Sequence, residues 1–121
     1  YNNGEMKRDF TYIDDIVEGV MRVIDLVPKP QMNPETSIAS PYKLYNIGNN
    51  NPVMLFDFIA AIEKSCRKKA NKNLLPMQPG DVLSTYADIE DLENDIDFKP
   101  STPISIGIDK FVRWYMNIDK I

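Results

Sequence analysis

At 121 residues, with 43% hydrophobic and 26% charged side chains, the chain has the size and composition of one ordinary globular domain. A net charge of −4 argues against a general nucleic-acid binder, which would carry a basic surplus, but leaves room for a local cationic pocket. The single cysteine, Cys66, excludes an internal disulfide and suits a reducing cytoplasm, and the lack of histidine removes the commonest general base and metal ligand. No apolar run approaches the length of about 20 residues that crosses a bilayer. The opening Tyr1-Asn2-Asn3-Gly4 is neither a signal peptide nor an ordinary translation start, so the chain reads as a piece of a longer protein.

In chain order, the first ten residues read as a strand end and a loop. Asp14 or Asp15 can then cap a helix, with Glu18 three after Asp15 as in a capping box. Ile16, Val20, Val23, Ile24 and Val27 lie at helical spacing and form one apolar stripe, which Pro28 and Pro30 stop. From Pro28 to Lys43 the sequence predicts a long loop with four prolines. "KLYNIG", residues 43–48, predicts a short strand. Leu55, Ile59, Ile62 and Cys66 mark a second helix, and "NLLPMQPGDV", residues 73–82, an extended segment with a turn. Asp88 is placed to cap a short third helix with Ile89, Leu92 and Ile96 inward. Ile104, Ile108, Phe111, Tyr115 and Ile118 trace the apolar face of a last helix, capped by Ser105. The alternation implies an α/β arrangement with few strands.

Two stretches hold candidate binding residues. Arg8 opens the first helical region with Lys7; a guanidinium fork beside a helix start suits phosphate oxygens. The commoner alternative is a surface ion pair of Lys7 and Arg8 with Asp9, Asp14 or Asp15. In "MQPGDV" the Pro79-Gly80 turn can fix Asp81 as an acceptor for two ribose hydroxyls, or Asp81 can bond its own backbone in a plain turn. Other features read as structural. The five basic residues of "KSCRKKANK" complement a helix C-terminus, "DIEDLENDID" lacks the glycine and spacing of a calcium loop, and Cys66 sits on an apolar stripe. The five glycines are scattered, so no phosphate-binding glycine loop exists, and no tyrosine is followed four residues later by lysine. The chain thus offers no catalytic residue, no cofactor-binding loop and no metal site.

"MKRDFTYIDDIVEGV", "YNIGNNNPVMLFDFIAAIEK", "MQPGDVLSTYADIEDL" and "FKPSTPISIGIDKFVRWY", in this order, resemble the C-terminal part of the NAD-dependent nucleotide-sugar epimerases and dehydratases, which are extended short-chain dehydrogenase/reductases. Within that family the proline-rich loop and the "MQPGDV" turn are most similar to UDP-glucuronate 4-epimerases. The resemblance implies a Rossmann-type α/β fold of which residues 1–121 are mainly the small substrate-binding portion, with few strands and about four helices. It implies an upstream NAD-binding Rossmann domain bearing a Tyr-x-x-x-Lys pair, and NAD in the full-length protein but none bound by this piece. The implied activity is C4 interconversion of UDP-glucuronate and UDP-galacturonate, this piece alone being inactive; another nucleotide-sugar dehydratase or decarboxylase, or a non-catalytic binding module, are the alternatives. Arg8 then contacts the diphosphate, Phe10 lies by the nucleotide, and Asp81 holds the ribose. Gln78 stands where relatives carry a second diphosphate-binding arginine, and Asp97 where they often have glycine, a left-handed position that aspartate tolerates. The implied partners are a UDP-sugar and the upstream domain, in a cytoplasmic homodimer without nucleic acid or membrane.

Overall fold

The computed structural model describes residues 1–32, 35 and 39–118; residues 33–34 and 36–38, inside the expected proline-rich loop, lie outside the described residues. In chain order the elements are a 3-10 turn (Asn2–Gly4), β1 (Lys7–Arg8), α1 (Ile13–Ile24), β2 (Pro30–Met32), β3 (Ala39–Pro41), β4 (Val53–Met54), α2 (Leu55–Cys66), α3 (Glu90–Ile96) and α4 (Ile104–Asn117). Among the described residues no helix is long and apolar enough to cross a membrane.

β1 pairs antiparallel with β4, Lys7 opposite Met54 and Arg8 opposite Val53. On its other side Lys7 forms a single parallel bridge to Ser84. The Lys7 N–H donates to the Leu83 carbonyl at 2.9 Å, and the Lys7 carbonyl accepts the Thr85 N–H at 3.3 Å. The start of the chain is thus held between two segments that lie far along the sequence.

All four expected helices form, with different starts. α1 begins after Tyr12 without a side-chain cap. Asp14 and Asp15 sit in its first turn, where their charge still suits the helix dipole. Asp15 is drawn away from capping by a closer set of donors, the Ser101 N–H at 3.2 Å and the Thr102 N–H and hydroxyl at 2.9 Å each. Glu18 pairs with Arg22 one turn on, at 2.7 Å, instead of closing a capping box. α4 likewise starts after Pro103, whose carbonyl accepts the Ile106 and Gly107 N–H groups, so Ser105 lies inside the first turn and does not cap. α3 starts after Ile89, one residue later than the expected cap; Asp88 does not take the cap position, although its carboxylate accepts the Glu90 N–H at 3.1 Å.

Two strand expectations are corrected. Residues 43–48 lie outside the regular strands. Their side chains take the anchoring role, Tyr45 on Asp95 and Asn46 on the Asp88 carbonyl, because no strand is aligned to give them a backbone ladder. Conversely, the segment read as a loop contains the antiparallel pair β2–β3, with Pro30 opposite Pro41. Two facing prolines fit a non-hydrogen-bonded pair of an antiparallel ladder, where neither residue needs an N–H.

The interior is small. The buried apolar side chains are Met6, Ile89, Leu92, Ile108 and Val112. Ile89 and Leu92 are inward, as the α3 period predicts. On α4 only Ile108 of the expected face is fully buried, while Phe111, Tyr115 and Ile118 remain exposed. The helix is instead seated through Gly107, whose missing side chain makes room for the Tyr12 ring. Gly19 has the same effect on α1: a Cβ there would meet Ile47 and Phe98 at 3.2 Å, so the helix packs along that line. Ile16 and Val23 are half-buried, whereas Val20, Ile24 and Val27 of the expected stripe are exposed. Ile13, Val17, Val20, Met21 and Ile24 leave one long apolar strip of α1 uncovered.

Candidate functional site

The candidate site is built on the β1 strip. β1 places Arg8 opposite Val53, and its Nη1 donates to the Lys7 carbonyl at 2.8 Å. Among the described residues Arg8 has no ion-pair partner. The three carboxylates that could have paired with it are committed elsewhere: Asp14 to Lys110 at 3.2 Å, Asp15 to residues 101 and 102, and Asp9 to backbone N–H groups. The guanidinium keeps donors available for an anion.

Asp9, singled out in the sequence only as a possible partner of Arg8, is the hub of this region. Its Oδ2 accepts the Asn50 and Ala87 N–H groups at 3.1 Å each, and its Oδ1 accepts the Asn51 N–H at 3.3 Å. Its own N–H donates to Thr85 Oγ1 at 3.0 Å. Thr11 adds a parallel tie, its hydroxyl accepting the Asn49 N–H at 3.1 Å. Gly48 fits beneath because it has no side chain: a Cβ there would lie 2.3 Å from the Ala87 Cβ and 3.0 Å from Asp9 Oδ2. Beside this hub opens a polar recess of 560 Å³ lined by Asp9, Thr11, Tyr45, Asn46, Thr85 and Asp88. The signal available in the sequence was slight, an acidic residue flanked by arginine and phenylalanine.

The second candidate stretch forms the turn expected of it. The Asp81 N–H donates to the Gln78 carbonyl at 3.2 Å, and Gly80 takes φ +91°, as a Pro-Gly type II turn requires. Gln78 and Asp81 are both exposed, and among the described residues the Asp81 carboxylate has no hydrogen-bond partner. The turn leads within two residues into Leu83, the residue bonded to Lys7, so Arg8 and Asp81 stand on one backbone-connected unit.

Phe10 stacks on Phe58, ring centroids 4.0 Å apart and 13° from parallel. The pair forms one wall of an apolar cleft of 550 Å³ between α2 and α4, whose other walls include Ile62, Ile104, Phe111 and Tyr115. Among the described residues no charged side chain lines this cleft, which makes it a poor place for a diphosphate. Of the four residues singled out, Arg8, Gln78 and Asp81 stand on the β1 strip and its turn, whereas the Phe10 ring faces the cleft.

Two charged clusters are structural. Lys43 lies 2.6 Å from Asp95 and 3.1 Å from Asp91, and the Tyr45 hydroxyl donates to Asp95 at 2.6 Å, tying residues 43–45 to α3. The Asp95 and Asp91 hydrogen bonds push the Lys43 ammonium well above its ordinary pKa; Lys43, then Tyr45, lower that of Asp95. Glu63, buried on α2, gathers Lys69, Lys72 and the Ala70 N–H, whose hydrogen bonds lower its carboxyl to about 2. The basic run after α2 is therefore held by an internal carboxylate. Among the described residues no group of three or more His, Cys, Asp or Glu side chains could hold a metal ion.

No family model matches the chain. Protein CapI of Staphylococcus aureus is 50% identical over 127 residues, an alignment covering 99% of this chain and 38% of that protein. A probable UDP-glucuronate 4-epimerase of Rhizobium meliloti is 40% identical over 122 residues, covering 95% of this chain and 36% of the relative. The crystal structure of UDP-glucuronic acid 4-epimerase from Bacillus cereus, in complex with UDP-glucuronic acid and NAD, superposes with a TM-score of 0.72 at 27% identity, covering 95% of this chain and 34% of that one. The chain is homologous to the C-terminal part of the NAD-dependent nucleotide-sugar epimerases and dehydratases. It spans a little over a third of the length of the curated relatives it matches. Among the described residues its four helices and few short strands match the α/β C-terminal portion of the extended short-chain dehydrogenase/reductase fold.

Proposed function

We propose that residues 1–121 are the substrate-binding C-terminal portion of an NAD-dependent epimerase that interconverts UDP-glucuronate and UDP-galacturonate at C4. The observation that carries the binding role is the state of Arg8. Among the described residues its guanidinium pairs with no carboxylate, while Asp9, Asp14 and Asp15 are each engaged with other donors. In this reading Arg8 clamps the diphosphate and Asp81, fixed by its turn, accepts the ribose hydroxyls. Gln78 adds a neutral donor at the position where the resemblance places a second arginine, so the clamp relies on one formal charge. Phe10 anchors the end of this strip through its stack on Phe58. The named substrates of the Rhizobium and Bacillus relatives support the choice of sugar nucleotide.

The chemistry belongs to an upstream Rossmann domain, where bound NAD supplies the hydride acceptor. This chain's share is to hold the UDP moiety so that the sugar C4 reaches that domain. The uncovered strip of α1 and the apolar cleft fit a portion that packs against further protein. On the same reading this piece alone binds no NAD and is inactive, and the full-length protein is a cytoplasmic homodimer.

The test is a UDP titration of the full-length protein. Arg8→Ala is expected to weaken binding by about 1.5–3 kcal/mol, the range for a hydrogen bond to a charged group. Asp81→Asn should cost less, and only for ligands that contain ribose. Unchanged UDP affinity in Arg8→Ala removes Arg8 from the site.

A further inference from the structure

Arg8 and the Gln78–Asp81 turn belong to segments joined by backbone pairing, and one side chain reinforces that pairing. Lys7 holds Leu83 and Thr85 through its backbone. Two residues on, Asp9 extends the same seam: its N–H reaches Thr85 Oγ1 at 3.0 Å and its Oδ2 takes the Ala87 N–H at 3.1 Å. The carboxylate also takes the Asn50 and Asn51 N–H groups, from the loop that runs into β4 opposite Arg8. Both neighbours of the Arg8 strand are therefore fixed by one carboxylate, whose acceptors are spent on backbone donors.

We propose that Asp9 is the positioning residue of the nucleotide site, holding the phosphate contact of Arg8 and the ribose contact of Asp81 at a fixed separation. The inference rests on the nucleotide-binding reading above. A ligand that spans both contacts gains from a site assembled in advance, because the ordering cost is already met in the free protein. A ligand that touches one contact gains nothing from their separation. This distinction separates positioning from general structural support, which would affect every ligand alike.

The experiment titrates the full-length protein, wild type and Asp9→Asn, with UDP, pyrophosphate and uridine. The amide keeps the shape of the side chain but turns one acceptor into a donor facing backbone N–H groups. The expected result is a loss of UDP affinity of tenfold or more, with pyrophosphate and uridine each within twofold of wild type. Equal losses on all three ligands, or unchanged UDP affinity, overturn the positioning role. Thr85→Val, which removes the acceptor of the Asp9 N–H and leaves the carboxylate intact, guards against a variant that fails to fold. It is expected to show the same selectivity at threefold or more, and a uniform loss there counts equally against the proposal. Wild-type protein that does not bind UDP defeats the nucleotide reading and this inference together; wild type that binds UDP, with variants that lose all ligands equally, defeats this inference alone.

Discussion

Gly48 offers a sharp test of the Asp9 hub. A Cβ at this position would stand 2.3 Å from the Ala87 Cβ, at least 1 Å inside ordinary contact, and 3.0 Å from Asp9 Oδ2. Neither Cβ can rotate away, so Gly48→Ala must move backbone. Overpacking of this kind costs about 1–3 kcal/mol. The displaced segments also carry the Asn50 and Ala87 N–H groups, each 3.1 Å from the Asp9 carboxylate, and losing one such charge-assisted bond adds about 1.5–3 kcal/mol. The expected loss is therefore about 2.5–6 kcal/mol. Ala87→Gly deletes the clashing atom and by itself costs about 0.4–1 kcal/mol through the freer unfolded chain. The double variant should recover part of the loss, the 3.0 Å approach to Asp9 remaining. Urea unfolding followed by circular dichroism, across the four members of the cycle, measures the coupling. A Gly48→Ala variant within 0.5 kcal/mol of wild type, or strictly additive losses, would refute the packing of these segments around Asp9.

The remaining expectations concern the core and the α2 loop. Leu92 is fully buried, so Leu92→Ala should cost about 2–5 kcal/mol in the same assay, whereas Val27→Ala, at a position 85% exposed, should stay within about 0.5 kcal/mol. Glu63 has its carboxyl lowered from 4.5 to about 2 by Lys69, Lys72 and the Ala70 N–H. A depressed carboxyl stabilises the fold above its unfolded value and loses that contribution as the pH falls from about 4.5 through about 2. Wild type should thus be more stable than Glu63→Gln at pH 6 and should converge with it near pH 2; a difference that persists at pH 2 would place the effect in packing.

What the sequence disclosed follows from the range of each interaction. Helical spacing is local, and it located α2 and α3, including the inward Ile89 and Leu92. It placed α1 and α4 but misjudged which face is covered, because the seating of each is decided by a glycine meeting a distant ring or side chain. The Pro-Gly turn was legible from its dipeptide, and Asp97 takes the left-handed φ of +47° that the sequence suggested it would tolerate. Caps were less legible: Asp15 has the composition of a cap but is claimed by Ser101 and Thr102, 86 and 87 positions away. Strand pairing is equally non-local, so residues 43–48 look like a strand without finding a ladder. Asp9 joins residues 41, 42 and 78 positions away, and no spacing rule within one segment reports such a convergence.

The most direct measurement incubates the full-length protein with UDP-glucuronate and follows the configuration at C4 by NMR. The account predicts the appearance of UDP-galacturonate, abolished or slowed in Arg8→Ala through weaker substrate binding. UDP-glucuronate recovered unchanged, from a protein shown to carry NAD, would contradict it.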